Sequence, residues 1–426
     1  MPKTLFRLFL LVVAAVFILT ACGPKSTAVP TEVVTAPPAT EPPVTEPPVT
    51  QPPAPQEFTF GIVMVGAKND HGWSQAHYDA GLYVEEKIPG STMLYIENAY
   101  SGSPVLTGTT ISQLAEQLVA QGAQLIIFNS DDMKDESTVF AQNNPDVPVI
   151  MASGDQVWQD GQDYTAIPNM VNIMGRMEYG KMIAGCAAAL TSQTGKIGYL
   201  GPLINAETRR LVSSAYLGAK YCWAQAGKDP AALMFKVTWI GFWFYIPGFS
   251  SDPTQVANDF FNSDYDVVIS GIDTTEAMTE AKRLNDTGKA VWSIPYDFKG
   301  ACDQAPEICL GVPYFNWGPA YTETIQNAMD GTFVSNFQWN GPDWADINNP
   351  DTSAVGFLNG PALSTENSAT LETFIAALAG GLNLWTGPIN LQDGTVYLAD
   401  GVVATDQQVW YLPSLLEGME GQSVSP

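Results

Sequence analysis

The sequence predicts an α/β fold made of two doubly wound parallel-sheet lobes joined by a hinge. Two observations support this fold: short β-rich runs alternate with segments of helical period, and the whole series occurs twice in succession over similar lengths. Strand and helix alternation at this spacing favours parallel sheets covered by helices on both faces. Two such lobes in tandem are typical of a clamshell that closes on a ligand in the cleft between them.

The first series is predicted to form the first lobe, over residues 58–170. Its predicted strands are Phe58–Val65, Thr92–Glu97, Leu125–Asn129 and Val147–Ala152, and its predicted helices are Gln75–Lys87, Ile111–Gln121 and Asp135–Asn143. In the second helix Ile111, Leu114 and Leu118 fall on one face, as expected of a helix that packs on a sheet.

The second series is predicted to form the second lobe, over residues 171–296. Its predicted elements are, in chain order, helix Gly175–Leu190, strand Lys196–Leu200, helix Asn205–Gln225, strand Leu233–Ile240, helix Pro253–Asn262, strand Val267–Ser270, helix Thr275–Asp286 and strand Ala290–Ile294. Residues 297–426, with a helix near Pro319–Met329, are expected to cross the hinge at least once and to complete both lobes.

The N-terminus is typical of an exported lipoprotein. Lys3 and Arg7 precede an apolar run from Leu8 to Leu19, which is shorter than a comfortable membrane span, and small residues lead to Cys22. Residues 1–21 are therefore predicted to be a signal peptide, with Cys22 lipid-modified and anchored in the membrane. An uncleaved anchor helix is the alternative. Residues 22–57 are rich in Pro and Thr and predict an extended, polyproline-like tether.

The composition indicates a large buried core and restricts the partners. Hydrophobic residues make up 46% of the chain and charged residues only 15%, and the formal net charge is −26. Nucleic acid is not expected as a partner, because phosphate binding requires a basic patch. An anionic membrane face is disfavoured for the same reason, so the lipid on Cys22 is expected to provide the membrane attachment.

The cysteines other than Cys22 permit disulfides in an exported protein. Cys302 and Cys309 close a short loop and are predicted to pair. Cys186 and Cys222 lie in or after helices, and for them a bridge and two buried thiols remain equal alternatives. The chain has two histidines and no Cys-x-x-Cys pattern, so neither a metal site nor a cofactor is expected.

The stretch from Asn69 to Gln75 joins the first predicted strand to the first predicted helix. Such a turn lies at the carboxyl edge of a parallel sheet, where α/β proteins usually bind ligands. Plain helix capping is the alternative, because Asn, Asp, Gly and Ser are ordinary residues of turns and caps. Trp73 favours the ligand site, since a large aromatic side chain in a polar turn is suited to stacking on a flat molecule.

Polar or aromatic residues follow several other predicted strands. They are Asn129 and Ser130, Ser153 and Gly154, the aromatic segment Trp239–Tyr245 with Trp243, Gly271 to Asp273, Tyr296 and Asp297, and Phe315 to Trp317 with Asn316. Asp accepts paired hydrogen bonds from sugar hydroxyls or ring N–H groups, Asn donates and accepts together, and Trp stacks on planar bases. The set suits a nucleoside or nucleobase, although each polar residue alone is more often a turn or cap. For the aromatic segment the alternative is core packing under a loop, which is favoured for Trp239 because it lies within the strand and is an equal alternative for Trp243.

Several segments in this order resemble the basic membrane protein family. They are Asn69–Gly81, the run from Gly175 to Lys181 with Gly185, the run from Thr194 to Gly198, Gly241–Tyr245, the run from Asn316 to Tyr321, and Gly387 to Ile389 with Asp393 and Gly394. The family comprises extracytoplasmic substrate-binding lipoproteins of ABC importers, and its studied members bind purine nucleosides or related bases. The resemblance implies a type I periplasmic-binding-protein fold, an ABC permease as partner and a monomeric receptor.

The resemblance also assigns ligand-binding roles to residues of this chain. It places a polar pair at Asn69 and Asp70, stacking aromatics at Trp73 and near Trp243, and a ribose-binding aspartate at Asp297. It further implies a ligand-binding loop from Gly271 to Asp273.

Two positions depart from the family pattern. Many nucleoside-binding members have an acidic residue at the position of Ser153 and a lysine at the position of Asn316 and Trp317. Both changes remove polar groups expected to face the sugar, so a free base such as adenine competes with a nucleoside as the expected ligand. The predicted ligand-binding residues are thus Asn69, Asp70, Trp73, Ser130, Ser153, Trp243, Gly271, Asp273, Asp297, Asn316 and Trp317.

The predicted fold and ligand-binding residues are compatible with three functions. The first is a lipid-anchored receptor that captures a purine nucleoside or base and delivers it to a permease. The second is a nucleoside-processing enzyme, which is disfavoured because the chain has no metal cluster, no Gly-x-Ser-x-Gly motif and no evident pair of nucleophile and base. The third is a ligand-sensing receptor on the same fold that signals rather than imports.

Overall fold

The protein is described from a computed structural model over residues 56–424, so the predicted signal peptide, Cys22 and most of the tether lie outside the described residues. The strands are β1 (Phe58–Val63), β2 (Ser91–Ile96), β3 (Leu125–Phe128), β4 (Val149–Met151), β5 (Met170–Gly175), β6 (Lys196–Gly201), β7 (Met234–Trp239), β8 (Val267–Ser270), β9 (Trp292–Ile294), β10 (Gly311–Phe315), β11 (Phe337–Asn340), β12 (Val355–Asn359), β13 (Ile389–Asn390), β14 (Val396–Leu398) and β15 (Met419–Glu420).

The helices connect these strands. They are α1 (Trp73–Lys87), α2 (Ile111–Ala120), α3 (Lys134–Asn143), α4 (Met177–Thr191), α5 (Ala206–Gln225), α6 (Pro253–Asn262), α7 (Glu276–Asn285), α8 (Gly318–Met329), α9 (Thr365–Ala379) and α10 (Asp406–Trp410). Within residues 56–424, no helix combines the length and the apolar character that a membrane span requires.

Two parallel sheets form the centres of two lobes. The sheet of lobe 1 has the strand order β11-β5-β4-β3-β1-β2, and the sheet of lobe 2 has the order β15-β7-β6-β8-β9. All pairings within these two sheets are parallel. The predicted fold class is therefore confirmed.

The central strands are apolar because helices cover both faces of each sheet. All four residues of β3, Leu-Ile-Ile-Phe, are buried, and so are the four of β8, Val-Val-Ile-Ser. A continuous apolar run is what a strand buried on both faces requires. At the helix starts, capping boxes at Thr110 and Asn205 satisfy backbone N–H groups of α2 and α5.

Three segments of chain connect the lobes. The first leaves β5 at Gly175 and enters α4, which packs against α5 of lobe 2. The second runs from β10 into α8, which packs against α1 of lobe 1. The third returns from β11 to β12, which pairs antiparallel with β10. The C-terminal part of the chain thus crosses the hinge twice.

The pairing of β5 with its neighbours places the end of lobe 1 after this strand. The predicted boundary between residues 170 and 171 falls at the first residue of β5, and β5 pairs with β4 and β11 in the sheet of lobe 1. By strand pairing, the chain leaves lobe 1 only after Gly175. The apolar Met and Ile residues of β5 are interrupted by Asn172, which made this strand hard to recognise from sequence.

Both pairs of cysteines in the described residues form disulfides. Cys186–Cys222 joins α4 to α5, and Cys302–Cys309 closes the short loop between β9 and β10. The first bridge settles the two alternatives left for Cys186 and Cys222 in favour of pairing.

Candidate ligand-binding site

A cavity lies where the carboxyl ends of the two sheets face each other, and its empty space, together with the solvent at its opening, amounts to about 430 Å³. Both lobes contribute to it through residues that follow β3, β4, β8 and β9 and through the first turns of α1 and α5. Its lining residues are Trp73, Ser130, Asp131, Ser153, Tyr199, Pro202, Glu207, Thr208, Leu211, Trp243, Gly271, Asp273 and Tyr296. Six of these belong to the predicted ligand-binding set, namely Trp73, Ser130, Ser153, Trp243, Gly271 and Asp273.

Trp73 forms the aromatic wall on the lobe 1 side. Its side chain is held in place by its indole N–H, which donates to the backbone carbonyl of Asn129, and by edge contacts with Phe315 and Trp317 at 5.3 Å between ring centroids. Only 7% of the residue is exposed, and it lines the cavity. The ring is therefore a fixed flat surface.

Asp70 acts as a cap of α1. Its Oδ1 accepts hydrogen bonds from the backbone N–H groups of Gly72 and Gln75 at 2.9 and 3.0 Å, and its Oδ2 accepts one from Ser74 at 3.0 Å. Burial raises the pKa of Asp70 to about 6, against the lowering effect of these bonds. With three backbone donors on one carboxylate, Asp70 matches the capping alternative, and it does not line the cavity.

Three other predicted residues also lie away from the cavity. Asn69 is exposed on the turn before α1. Asn316 donates from Nδ2 to the backbone carbonyls of Pro350 and Ser353 and so holds the hinge segments together. Trp317 stacks on His77 with ring centroids 4.4 Å apart. Asn316 and Trp317 instead line a separate, solvent-open cavity together with Ala76, Ala80 and Tyr83 of α1, because the chain turns into α8 at this point.

Lobe 2 forms the opposite wall with Trp243 and the loop after β8. Trp243 is 8% exposed, and its backbone carbonyl accepts a hydrogen bond from the N–H of Asp273 at 3.0 Å. This bond fixes the aromatic segment beside the loop. The carboxyl group of Asp273 accepts no hydrogen bond from any of residues 56–424, and burial raises its pKa well above the usual range.

Asp297 lies directly after Tyr296 in the interior of lobe 2. It is fully buried in a left-handed conformation, with φ of 70°, which is unfavourable for a residue other than glycine. Neither of its carboxyl oxygens has a hydrogen-bond partner among the described residues, and burial raises its pKa well above the usual range although Lys181 opposes this. Asp297 is not among the residues that line the cavity, whereas Tyr296 is, and the Oη of Tyr296 is also buried without a partner.

Lys181 is the buried cation nearest to this cluster. Its Nζ donates to the backbone carbonyl of Ser270 at 2.8 Å and lies 3.1 Å from the centroid of the Tyr296 ring. Burial lowers the pKa of Lys181 well below its usual value. Lys181 stands behind the wall rather than in it, so the cavity lining includes no Lys, Arg or His side chain.

Glu207 is a lining residue that the sequence reasoning missed. It lies in the first turn of α5, and its Oε2 accepts a hydrogen bond from Ser153 Oγ of lobe 1 at 3.2 Å. Burial raises the pKa of Glu207 to about 7. Ser153 stands where the family resemblance expects an acidic residue, so a carboxyl group reaches this position from the opposite lobe.

The other missed lining residues carry less of a signal in the sequence. Asp131 directly follows the predicted Ser130 and could have been included with it, whereas Tyr296 is named above among the residues that follow predicted strands but is not in the predicted ligand-binding set. The remaining ones are Tyr199 in the interior of β6, Pro202 just after it, and Thr208 and Leu211 on the cavity face of α5.

The two lobes contact each other around the cavity. The backbone of Gly72 lies against the backbone carbonyl of Asp273, and a Cβ at position 72 would overlap that oxygen. Farther out, the ring of Tyr100 from lobe 1 packs edge-on against Phe244 from lobe 2, with centroids 5.2 Å apart. The described state is therefore the closed one.

The lining determines which ligands fit by charge. Three carboxyl groups, those of Asp131, Glu207 and Asp273, face the cavity without a cationic side chain beside them in the lining. This lining offers no cationic side chain to a phosphate or carboxylate ligand, whereas a neutral molecule with a flat ring and N–H or O–H donors would be complementary to it. Among residues 56–424, no group of His, Cys, Asp and Glu is arranged to hold a metal ion.

Comparison with known proteins agrees with this architecture. Residues 58–369 match the model of the Bmp family, described as ABC transporter substrate-binding protein, PnrA-like. A purine-binding protein of Brucella abortus (strain 2308) is 25% identical over 342 residues, which cover 79% of this chain and 85% of the relative. A putative ABC transporter glucose-binding protein of Haloferax volcanii is 26% identical over 284 residues, which cover 66% of this chain and 63% of the relative.

A solved structure supports the fold. An ABC transporter solute-binding protein from Aeropyrum pernix K1 superimposes with a TM-score of 0.61 at 13% identity, and the match covers 83% of this chain and 95% of that one. The family consists of extracytoplasmic binding proteins rather than enzymes, and it implies a small-molecule ligand and a permease as partners. This chain belongs to the Bmp family of PnrA-like ABC transporter substrate-binding proteins.

Proposed function

We propose that this protein captures a purine nucleoside or nucleobase in the cavity between its lobes and presents it to an ABC permease. One observation carries the proposal: Trp73 from lobe 1 and Trp243 from lobe 2 line the same cavity together with the carboxyl group of Asp273, which accepts no hydrogen bond from residues 56–424. A flat ring with hydrogen-bond donors on its edge satisfies both features.

The binding energy is expected to come from two sources. Stacking on an aromatic side chain contributes about 1–3 kcal/mol per base. The carboxyl group of Asp273 lacks a partner in the closed state, and a buried polar group of this kind is costly unless a ligand supplies its hydrogen bond. Closure around the ligand would thus replace water by fixed contacts, which gives the permease a distinct closed shape to recognise.

The relatives support this choice but differ among themselves. The Brucella abortus protein is named for purine binding, whereas the Haloferax volcanii protein is named for glucose binding. Tryptophan also packs against sugar rings, so a sugar belongs in any test. The lining disfavours nucleotides relative to nucleosides because it offers no cationic side chain to the charged phosphate group.

We further propose that the protein is anchored by a lipid on Cys22 and that the Pro- and Thr-rich tether holds the lobes away from the membrane surface. Support comes from the signal-like residues 1–21 that precede Cys22. A Cys22→Ala variant should then appear in the soluble extracytoplasmic fraction, whereas the wild type should stay with the membrane. Equal partitioning of the two proteins would contradict the anchor.

Binding is tested by calorimetry on the purified mature chain, freed of co-purified ligand, with adenosine, adenine, guanosine, adenosine monophosphate and glucose. We expect at least one nucleoside or base to bind with micromolar or tighter affinity and to raise the melting temperature, since a ligand stabilises the folded state it binds. The nucleotide should bind much more weakly than its nucleoside. Glucose binding without purine binding would overturn the proposal.

A matched pair of variants locates the site. Trp243→Ala should weaken purine binding at least tenfold, because it removes one stacking surface. Trp344→Ala is the control, since Trp344 packs against Tyr179 away from the cavity and should leave the affinity unchanged. Equal affinities for the two variants would show that the ligand binds elsewhere.

A further inference from the structure

The helix α5 places the carboxyl group of Glu207 in the lining of the cavity. Glu207, Thr208 and Leu211 lie on the same face of its first turns and line the cavity together. Leu211 is apolar, and the Thr208 hydroxyl is already engaged with the backbone of Asn205 in the capping box. Glu207 is therefore the side chain of α5 that can exchange hydrogen bonds with a ligand.

The environment of Glu207 leaves one of its oxygens without a partner and leaves the other with a second lone pair that can still accept a hydrogen bond. Ser153 Oγ donates to Oε2 from across the cleft, and Oε1 forms no hydrogen bond with the described part of the chain. Arg210, one turn later, donates its Nε to Glu178 at 2.7 Å and forms no hydrogen bond with Glu207, although its Nη2 is buried without a partner among the described residues. A ligand in the cavity can thus meet the free oxygen of Glu207 without displacing an internal ion pair.

We propose that the carboxyl group of Glu207 forms hydrogen bonds with the edge of the purine ring, and that 6-aminopurines bind when this carboxyl group is protonated. This inference rests on the proposed function of the same cavity. A protonated carboxyl group offers one donor and one acceptor, which match the ring N1 acceptor and the amino donor of adenine. An ionised carboxylate offers only acceptors, which match the two adjacent donors, N1–H and the 2-amino group, on the edge of guanine.

The charges around Glu207 allow both forms near neutral pH. Burial raises the pKa of its carboxyl group to about 7, with Asp131 and Glu178 adding to the rise and Arg210 opposing it. Asp273 and Asp297 face the same region from the loops after β8 and β9, and Glu207 is among the groups that raise the pKa of each of them. The start of α5 favours the ionised form through the helix dipole, and burial outweighs it.

The resulting prediction concerns how affinity changes with pH. If adenosine binds only the protonated form, its affinity falls by about tenfold from pH 6 to pH 8, as expected when the pH passes through a pKa of about 7. Guanosine affinity should stay level or increase over the same range. The sign follows because raising the pH removes the donor that adenine N1 requires and leaves an acceptor for guanine N1–H.

The test uses calorimetric titration of adenosine and guanosine at pH 6 and pH 8 with the mature wild type and with Glu207→Gln. The carboxamide keeps one donor and one acceptor at every pH, so adenosine should bind this variant equally well at both values. The melting temperature of the variant shows that it is folded. A Glu207→Gln protein that keeps the tenfold loss for adenosine would overturn the proposal.

Two further variants, Asp273→Asn and Asp131→Asn, identify the titrating group. Each should weaken binding or leave it unchanged but retain the pH dependence, because Glu207 is still present. Loss of the pH dependence in either of them, with its retention in Glu207→Gln, would assign the role to that residue instead. If the wild type binds no purine at any pH, the proposed function itself fails, whereas purine binding with a flat pH profile removes only the role of Glu207.

Discussion

The two walls of the cavity come from lobes of the same architecture, yet their polar groups are in opposite states. On the lobe 1 side, Ser130 Oγ accepts a hydrogen bond from the backbone N–H of Asp132, and the indole N–H of Trp73 donates to the backbone carbonyl of Asn129. On the lobe 2 side, the carboxyl group of Asp273 and the hydroxyl of Tyr296 have no partner in the described protein.

This difference indicates that the two lobes contribute differently to ligand binding. Lobe 1 presents a fixed flat surface whose hydrogen bonds are used internally, so it can bind many planar rings with little discrimination. Lobe 2 presents groups that remain costly until a ligand pairs with them, and discrimination between ligands is strongest where an unpaired buried group would result. We therefore expect lobe 2 to set ligand specificity and lobe 1 to set general affinity.

The largest effect is expected for Asp273→Ala. Loss of a hydrogen bond to a buried carboxyl group should weaken purine binding by roughly a hundredfold, near the upper end of the range for such bonds. The loss should differ between adenosine and guanosine, because the two rings present different donors. Calorimetry measures both affinities, and a loss below threefold for both ligands would contradict the role given to lobe 2.

A smaller and more uniform effect is expected for Trp73→Ala. Removing the stacking surface should weaken adenosine and guanosine binding to similar extents, by about tenfold. The variant is also expected to be less stable, because Trp73 packs against Phe315 and Trp317. Titrations below its melting temperature separate the two effects. A change of the adenosine to guanosine ratio by more than about fivefold would show that lobe 1 also discriminates between ligands.

Asp70→Ala should alter stability rather than binding. The carboxylate accepts three backbone hydrogen bonds at the start of α1, and loss of such a cap costs about 1 kcal/mol in the free energy of unfolding. The affinity of the folded variant should remain within about threefold of the wild type. Chemical denaturation and titration measure the two quantities, and intact stability with strongly weakened binding would instead support the ligand contact implied by the family resemblance.

Asn69→Ala should have the smallest effect. The side chain is exposed and does not line the cavity, so both stability and affinity should stay within experimental error. A tenfold loss of affinity would mean that the ligand-bound state draws Asn69 into the site and that the lobe 1 wall is less fixed than described.

The fold could be predicted from the sequence because its strong elements carry local signals. The apolar runs at β1, β3 and β8 and the amphipathic helices alternate regularly, and this alternation is sufficient for two parallel sheets. The strands β5 and β11 were not assigned. Their stability depends on pairing with each other across 160 residues of intervening chain or more, and a sequence window contains no trace of that pairing.

The residues of the binding site were harder to predict from the sequence than the fold, for a related reason. A polar residue after a strand serves equally well as a cap or as a ligand contact, and Asp70 and Asp273 differ only in which backbone donors surround them in the fold. Glu207 gave no signal, because an acidic residue in the first turn of a helix is ordinary. Its relevance comes only from the approach of lobe 2 to Ser153.

The close contact between Gly72 and Asp273 has a consequence for transport. A methyl group at position 72 would meet the Asp273 carbonyl oxygen before the lobes reach the described arrangement, so Gly72→Ala should stop the closing movement short by about the size of that group. Such a receptor could still hold a purine on Trp73, yet it would offer the permease an outline that differs from the liganded one. The absence of a side chain at position 72 thus determines whether the lobes can close to the shape that the permease recognises.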